Sequence, residues 1–101
     1  MPDQEHKVGE NGVELRGSKT IKRNGPRERL DIENPNPGSG DGNIHYHDPN
    51  NQKWDYNLNT KQLFDHTSGK PAPPRIQKVL SEEWFKKALE KALKYLGEDV
   101  Q

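Results

Sequence analysis

From Asn43 to Asn57 the chain runs NIHYHDPNNQKWDYN, and this alternation of apolar and polar residues leaves few folds open. Side chains along a strand point to opposite faces in turn. With Ile44 and Tyr46 on one face, His45 and His47 must stand on the other. Asp48-Pro49-Asn50-Asn51 carries the residue types of a turn. Beyond it Trp54, Tyr56 and Leu58 share one face, and Lys53, Asp55 and Asn57 share the opposite one. Closing the two runs as a hairpin, apolar sides together, predicts a polar surface holding two imidazoles, an ammonium, a carboxylate and an amide.

The rest of the composition sets how large a fold this hairpin can belong to. A chain of 101 residues with 27% hydrophobic residues supports one small core, and the apolar residues gather in the middle and the C-terminal third. Sixteen basic and sixteen acidic residues cancel, which argues against non-specific coating of nucleic acid. The absence of cysteine excludes disulfides, thiolate metal ligands and a thiol nucleophile. No apolar run approaches the roughly 20 residues that span a bilayer. The opening Met-Pro-Asp-Gln-Glu-His-Lys lacks the apolar core of a signal peptide. Residues 1–12 are expected to be a flexible tail, with His6 incidental in it, and residues 13–101 a single domain.

Within that domain Val13–Arg16 and Thr20–Arg23 read as two short strands between the turn-forming pairs Asn11-Gly12 and Asn24-Gly25. Arg27–Glu33 alternates, with Leu30 and Ile32 inward and Arg29, Asp31 and Glu33 outward. Asn34–Gly42, rich in proline and glycine, is a loop without a phosphate-binding glycine signature. A tight turn at Asn59-Thr60-Lys61 leads into Gln62-Leu63-Phe64 and completes a three-strand meander. Asp65–Pro74 reads as linker, with His66 a surface residue, and Arg75–Leu80 as a helical turn. Ser81 is the expected N-cap of a helix running to Leu96, with Gly97 as its stop. Phe85, Ala88, Leu89, Ala92, Leu93 and Leu96 recur at helical spacing. The expected fold is therefore α+β: a small twisted antiparallel sheet with the C-terminal helix packed on one face.

Three chemistries fit the predicted polar face. Metal-independent cleavage of RNA needs a base for the 2′-hydroxyl, an acid for the departing 5′-oxygen and a cation at the phosphate. His45 and His47, about 6.5–7 Å apart at Cα on one strand face, can flank a phosphate. Glu33 or Asp55 can orient a histidine or replace one as base, Arg29 and Lys53 can hold the phosphate, and Tyr46 or Trp54 can stack on substrate if exposed, although alternation points both into the core. Alternatively, two imidazoles and a carboxylate, with Asp55 or His66 nearby, suit zinc. The third possibility is a binding module whose polar strand residues simply face solvent. The serines at 18, 39, 68 and 81 lie in loops or at a cap and have no nucleophile-elbow context.

Asn34-Pro35-Asn36-Pro37-Gly38, followed by Gly42-Asn43-Ile44-His45-Tyr46, resembles the C-terminal toxin domains of bacterial polymorphic toxins of the contact-dependent inhibition and Rhs kinds. The likeness extends through the Trp54–Phe64 meander and the closing Ala88–Gly97 run, and covers the chain from about Arg27 onward. It implies a domain exported as part of a larger toxin that acts in the cytoplasm of a competing bacterium. Such domains are often ribonucleases, with tRNA or rRNA as substrates. It also implies a cognate immunity protein that binds the toxin as a heterodimer, with no cofactor and no membrane partner. Of the candidate residues, His45 lies in the matching stretch and carries the implied catalytic role; His47 rests on strand geometry alone. An immunity or adaptor protein, using Tyr46, Trp54 and the C-terminal helix as an interface, is the non-enzymatic alternative.

Overall fold

A computed structural model describes residues 8–98. Five strands run in sequence order across one antiparallel sheet: β1 (Leu15–Arg23), β2 (Arg29–Asn34), β3 (Asn43–His47), β4 (Lys53–Asn57) and β5 (Gln62–Asp65). A short helix, α1 (Pro74–Gln77), and the longer α2 (Glu83–Tyr95) follow. The expected α+β architecture is thus the observed one, with α2 packed against the sheet.

The register of the central strands decides where every side chain points. Tyr46 pairs with Leu30 and Trp54, and Ile44 pairs with Ile32. These residues, with Leu63 from β5, form the floor of the core. Helix α2 lies over β1 and β2 and buries Phe85, Ala88, Ala92 and Leu93 there. Phe85 meets the Tyr46 ring edge-on at 5.7 Å between centroids, and Trp84 meets Phe85 in the same way. Such contacts add to the free energy of burial, by about 0.5–1.5 kcal/mol each.

Asp48 fixes the β3–β4 turn. Its buried carboxylate accepts the N–H groups of Asn50 and Gln52, both at 2.9 Å, and the indole N–H of Trp54 at 3.1 Å. Asn57 plays the corresponding part at the next turn by accepting from the N–H groups of Asn59 and Thr60. At the outer edge of β5, the Gln77 carboxamide donates to the Leu63 carbonyl and accepts its N–H, so α1 covers that edge. Segment 65–72, expected as linker, folds back on β5: Ala72 donates to Leu63, and Phe64 bridges Pro71.

Three local features differ from expectation. The two short strands before Asn24 are one strand, β1, whose register slips between Leu15 and Lys19 and again between Thr20 and Lys22. Gly17, at φ +86°, accommodates the first irregularity. Ser81 is not the helix cap. It closes a 3₁₀ turn at Lys78–Ser81, and its hydroxyl donates back to Lys78, so α2 begins after Glu82. The third difference is at the start of the domain, where residues 8–12 are bonded into the fold rather than standing apart from it. Val8 bridges Asp41, Gly9 donates to Glu98, and the buried Asn34 amide donates to the carbonyls of Gly9 and Val13. Residues 1–7, with His6, lie outside the described residues.

The end of α2 explains this attachment. Glu98 N–H bonds the Leu93 carbonyl and Gly97 N–H that of Lys94, the paired bonds of a Schellman cap, with Gly97 at φ +69°. A Cβ on Gly97 would stand 2.5 Å from the Asn11 backbone, and one on Gly12 would stand 2.5 Å from that of α2. Both positions need glycine for close approach. Val13 N–H then bonds the Tyr95 carbonyl at 2.8 Å.

Beneath α2, the Tyr46 hydroxyl donates to Glu28 at 2.6 Å. Burial first, and the Glu28 hydrogen bond second, push the Tyr46 phenol well above its ordinary value. Burial also raises Tyr56. A raised folded value means that this stability is complete below the unfolded tyrosine value of about 10, and is lost as pH climbs beyond it. Denaturant midpoints measured from pH 8 to 11 should therefore fall more steeply for the wild type than for Tyr46→Phe. Equal slopes would contradict the buried Tyr46–Glu28 contact.

Candidate active site

The face of the sheet away from α2 is a polar layer arranged in rows. One row runs Thr20, Asp31, His45, Asp55 and Phe64 across all five strands. The next runs Arg29, His47 and Lys53. Rows on one face are two residues apart along each strand, about 6.5–7 Å.

His45 is the hub of the first row. Its side chain is 4% exposed, although it points away from the apolar core. Nδ1 lies 2.9 Å from Asp55 Oδ1, and Nε2 lies 3.2 Å from Glu33 Oε1. Asp55 Oδ1 is also 2.9 Å from His66 Nδ1, and the His66 ring stands perpendicular to that of His45 at 5.6 Å. The four side chains form one chain, Glu33–His45–Asp55–His66, drawn from three strands and the turn after β5. Its outer members reach solvent: Glu33 is 33% exposed, Asp55 43% and His66 46%.

A proton-counting constraint comes with this arrangement. Carboxylates only accept hydrogen bonds, and a neutral imidazole carries one N–H. Whichever tautomer His45 adopts when neutral, one of its two carboxylate contacts sets acceptor against acceptor. A proton or a cation must enter the chain to satisfy both. Groups linked in this way can exchange a proton along the line, which is what general acid–base chemistry requires.

The second cluster is centred on Asp31, buried on the same face. It accepts from Thr20 Oγ1 at 2.8 Å and Arg29 Nε at 3.0 Å, and His47 Nε2 lies 3.5 Å away. Burial, then the Arg29 cation, pushes the His47 imidazole below its ordinary value against an opposing pull from Asp31. Its Nδ1 is buried with no hydrogen-bond partner among the described residues. Arg29 also reaches the Arg27 carbonyl and the Asn51 side chain. Lys53 has no ion-pair partner among the described residues, so its ammonium is a free positive charge beside the hub.

The structure thus brings Glu33, His45 and Asp55 together, with Arg29, His47 and Lys53 one row from His45 and Asp55 and two rows from Glu33. Tyr46 is a correction. It lies on the opposite face, buried under Trp84 and Phe85, so it has no path to a substrate at His45. Asn57 serves its own turn instead of the site. His66, expected at the surface, belongs to the cluster, and Asp31, expected to point outward, is buried and holds Arg29 while accepting from Thr20. The meander register held the missing signal for His66: with Asp55 opposite Phe64, His66 is two residues on and shares that face.

No protein-family model, no curated protein and no solved structure matches this chain. Asp31→Asn removes the charge that holds Arg29 and should lower folding free energy by roughly 2–3 kcal/mol. Urea unfolding followed by circular dichroism measures it, and an unchanged midpoint would show that Asp31 does not organise the cationic row.

Proposed function

We propose that this chain is the nuclease domain of a bacterial polymorphic toxin, a metal-independent ribonuclease restrained in its producer by a cognate immunity protein. One observation carries the reading: His45 and Asp55 stand one row from Arg29 and Lys53 on the same face, and Glu33 reaches back to His45 from the row beyond. The resemblance of the Asn34–Tyr46 stretch to toxin domains of this kind supports it independently.

In this mechanism Arg29 and Lys53 hold the scissile phosphate and balance the charge that builds on its oxygens. Glu33 takes the proton of the 2′-hydroxyl, and that oxygen attacks phosphorus. The bond from phosphorus to the 5′-oxygen breaks, leaving a 2′,3′-cyclic phosphate, and the 5′-oxygen takes a proton delivered through the Asp55–His66 pair. His45 is a positioning residue: from below, it sets the direction of both carboxylates and links the two ends. His47 steadies Arg29 through Asp31 and does not itself meet the substrate. An acidic immunity protein suits a face that presents Arg29 and Lys53, since complementary charge speeds association.

Inducing the wild-type chain in cells without a partner should arrest growth and fragment RNA, leaving cyclic phosphate ends. Glu33→Gln should reduce cleavage about 10²–10⁴-fold, the usual contribution of a general base. His45→Gln should lower kcat with little change in KM and should reshape the pH profile. Arrest with intact RNA would move the target elsewhere. No arrest from folded, soluble protein would overturn the nuclease reading in favour of a binding module.

A further inference from the structure

The contact left short of a hydrogen in the Glu33–His45–Asp55–His66 chain has a second solution. His45 Nδ1, Asp55 Oδ1 and His66 Nδ1 gather on one point of the surface, and one ligand atom from each of the three residues lies within 4.8 Å of the other two. Zinc held by nitrogen and oxygen at about 2.0–2.2 Å keeps its donors a little over 3 Å apart. The 2.9 Å contacts of Asp55 Oδ1 with the two Nδ1 atoms lie close to that spacing.

Glu33 completes the arrangement. A metal-bound imidazole usually gives its other N–H to a carboxylate, which fixes the tautomer and aims the ligating nitrogen. The contact from His45 Nε2 to Glu33 Oε1 has that form and leaves the Nδ1 lone pair directed at Asp55 and His66. Two imidazoles and one carboxylate suit d-block divalent cations better than Mg²⁺ or Ca²⁺, which favour oxygen donors. The exposure of Asp55 and His66 leaves an entry path and room for water as a fourth ligand.

We propose that His45, Asp55 and His66 bind one d-block divalent cation such as Zn²⁺, with Glu33 as the outer carboxylate, and that its binding stops RNA cleavage. The inhibitory part rests on the ribonuclease reading, because the cation occupies the chain that would carry the proton. The binding part does not. Neither Arg29 nor Lys53 is a ligand, and His47, turned towards Asp31, is outside the set.

The test is calorimetric titration of Zn²⁺ into the full chain, with Mg²⁺ for comparison and Co²⁺ absorption to report geometry. One equivalent of Zn²⁺ should bind and Mg²⁺ should not. His66→Ala, at an exposed position, should abolish binding; Glu33→Gln should weaken it about 10–100-fold; His6→Ala should leave it unchanged. Binding that survives His66→Ala, or that disappears with His6→Ala, would overturn the site. Cleavage by the wild type should fall with added Zn²⁺ and return with chelator; cleavage that requires the metal would overturn the inhibitory role. If the chain cleaves no RNA in either form, the titration still decides the cation site by itself.

Discussion

The buried carboxylate of Asp48 holds the β3–β4 hairpin in register, and the two faces of the sheet depend on it. By accepting two backbone N–H groups of the turn and the Trp54 indole, it ties the loop to the first core-facing residue of β4. A slip of one residue would turn Trp54 out to solvent and bring Asp55 into the core, because side chains alternate strictly. With the turn pinned, His45 stands opposite Asp55 and Tyr46 opposite Trp54. Core and site are therefore consequences of the same constraint.

A chain with so few apolar residues would be expected to leave one side of its sheet fully solvated. Instead the polar side is itself packed: Asp31 and His45 are about as buried as Ile44 on the other face. Buried polar groups stabilise only when their hydrogen bonds are satisfied, and leaving them unpaired costs about 1–3 kcal/mol apiece. Asp31 meets this by accepting from Thr20 and Arg29. His45 meets it at one carboxylate with its single N–H when neutral, and the second contact is satisfied only when a further proton or a cation enters. The proposed proton transfer and the proposed cation site both draw on the same density of polar groups.

The strands, their faces and the closing helix were legible in the sequence because each follows a strict period. Ile44 and Tyr46, or Phe85, Ala88 and Ala92, can go to only one side once the element is known. The pairing of His45 with Asp55 and of His47 with Lys53 follows once the apolar faces are matched, which takes a five-residue connection, Asp48–Gln52; the four turn residues alone would set His47 opposite Gln52. What the sequence left obscure depended on contacts between distant segments. Nothing near Ser81 reveals that its hydroxyl turns back to Lys78, so the helix starts later than the capping rule suggests. The packing of Gly12 against Gly97 joins opposite ends of the chain, which is why residues 8–12 looked like tail. Tyr46 has the chemical type to stack on a base, but its alternation with His45 puts it under the helix.

The claim on which the account depends most is that the His45 ring is held from both sides by Glu33 and Asp55. Long-range ¹⁵N–¹H correlation spectra of the imidazole rings test it directly. The account predicts that His45 carries a ring proton in slow exchange with water, with nitrogen shifts that move when Glu33 or Asp55 is replaced by its amide. A His45 ring whose nitrogens average rapidly between tautomers, like those of a free histidine, and ignore both replacements would contradict it.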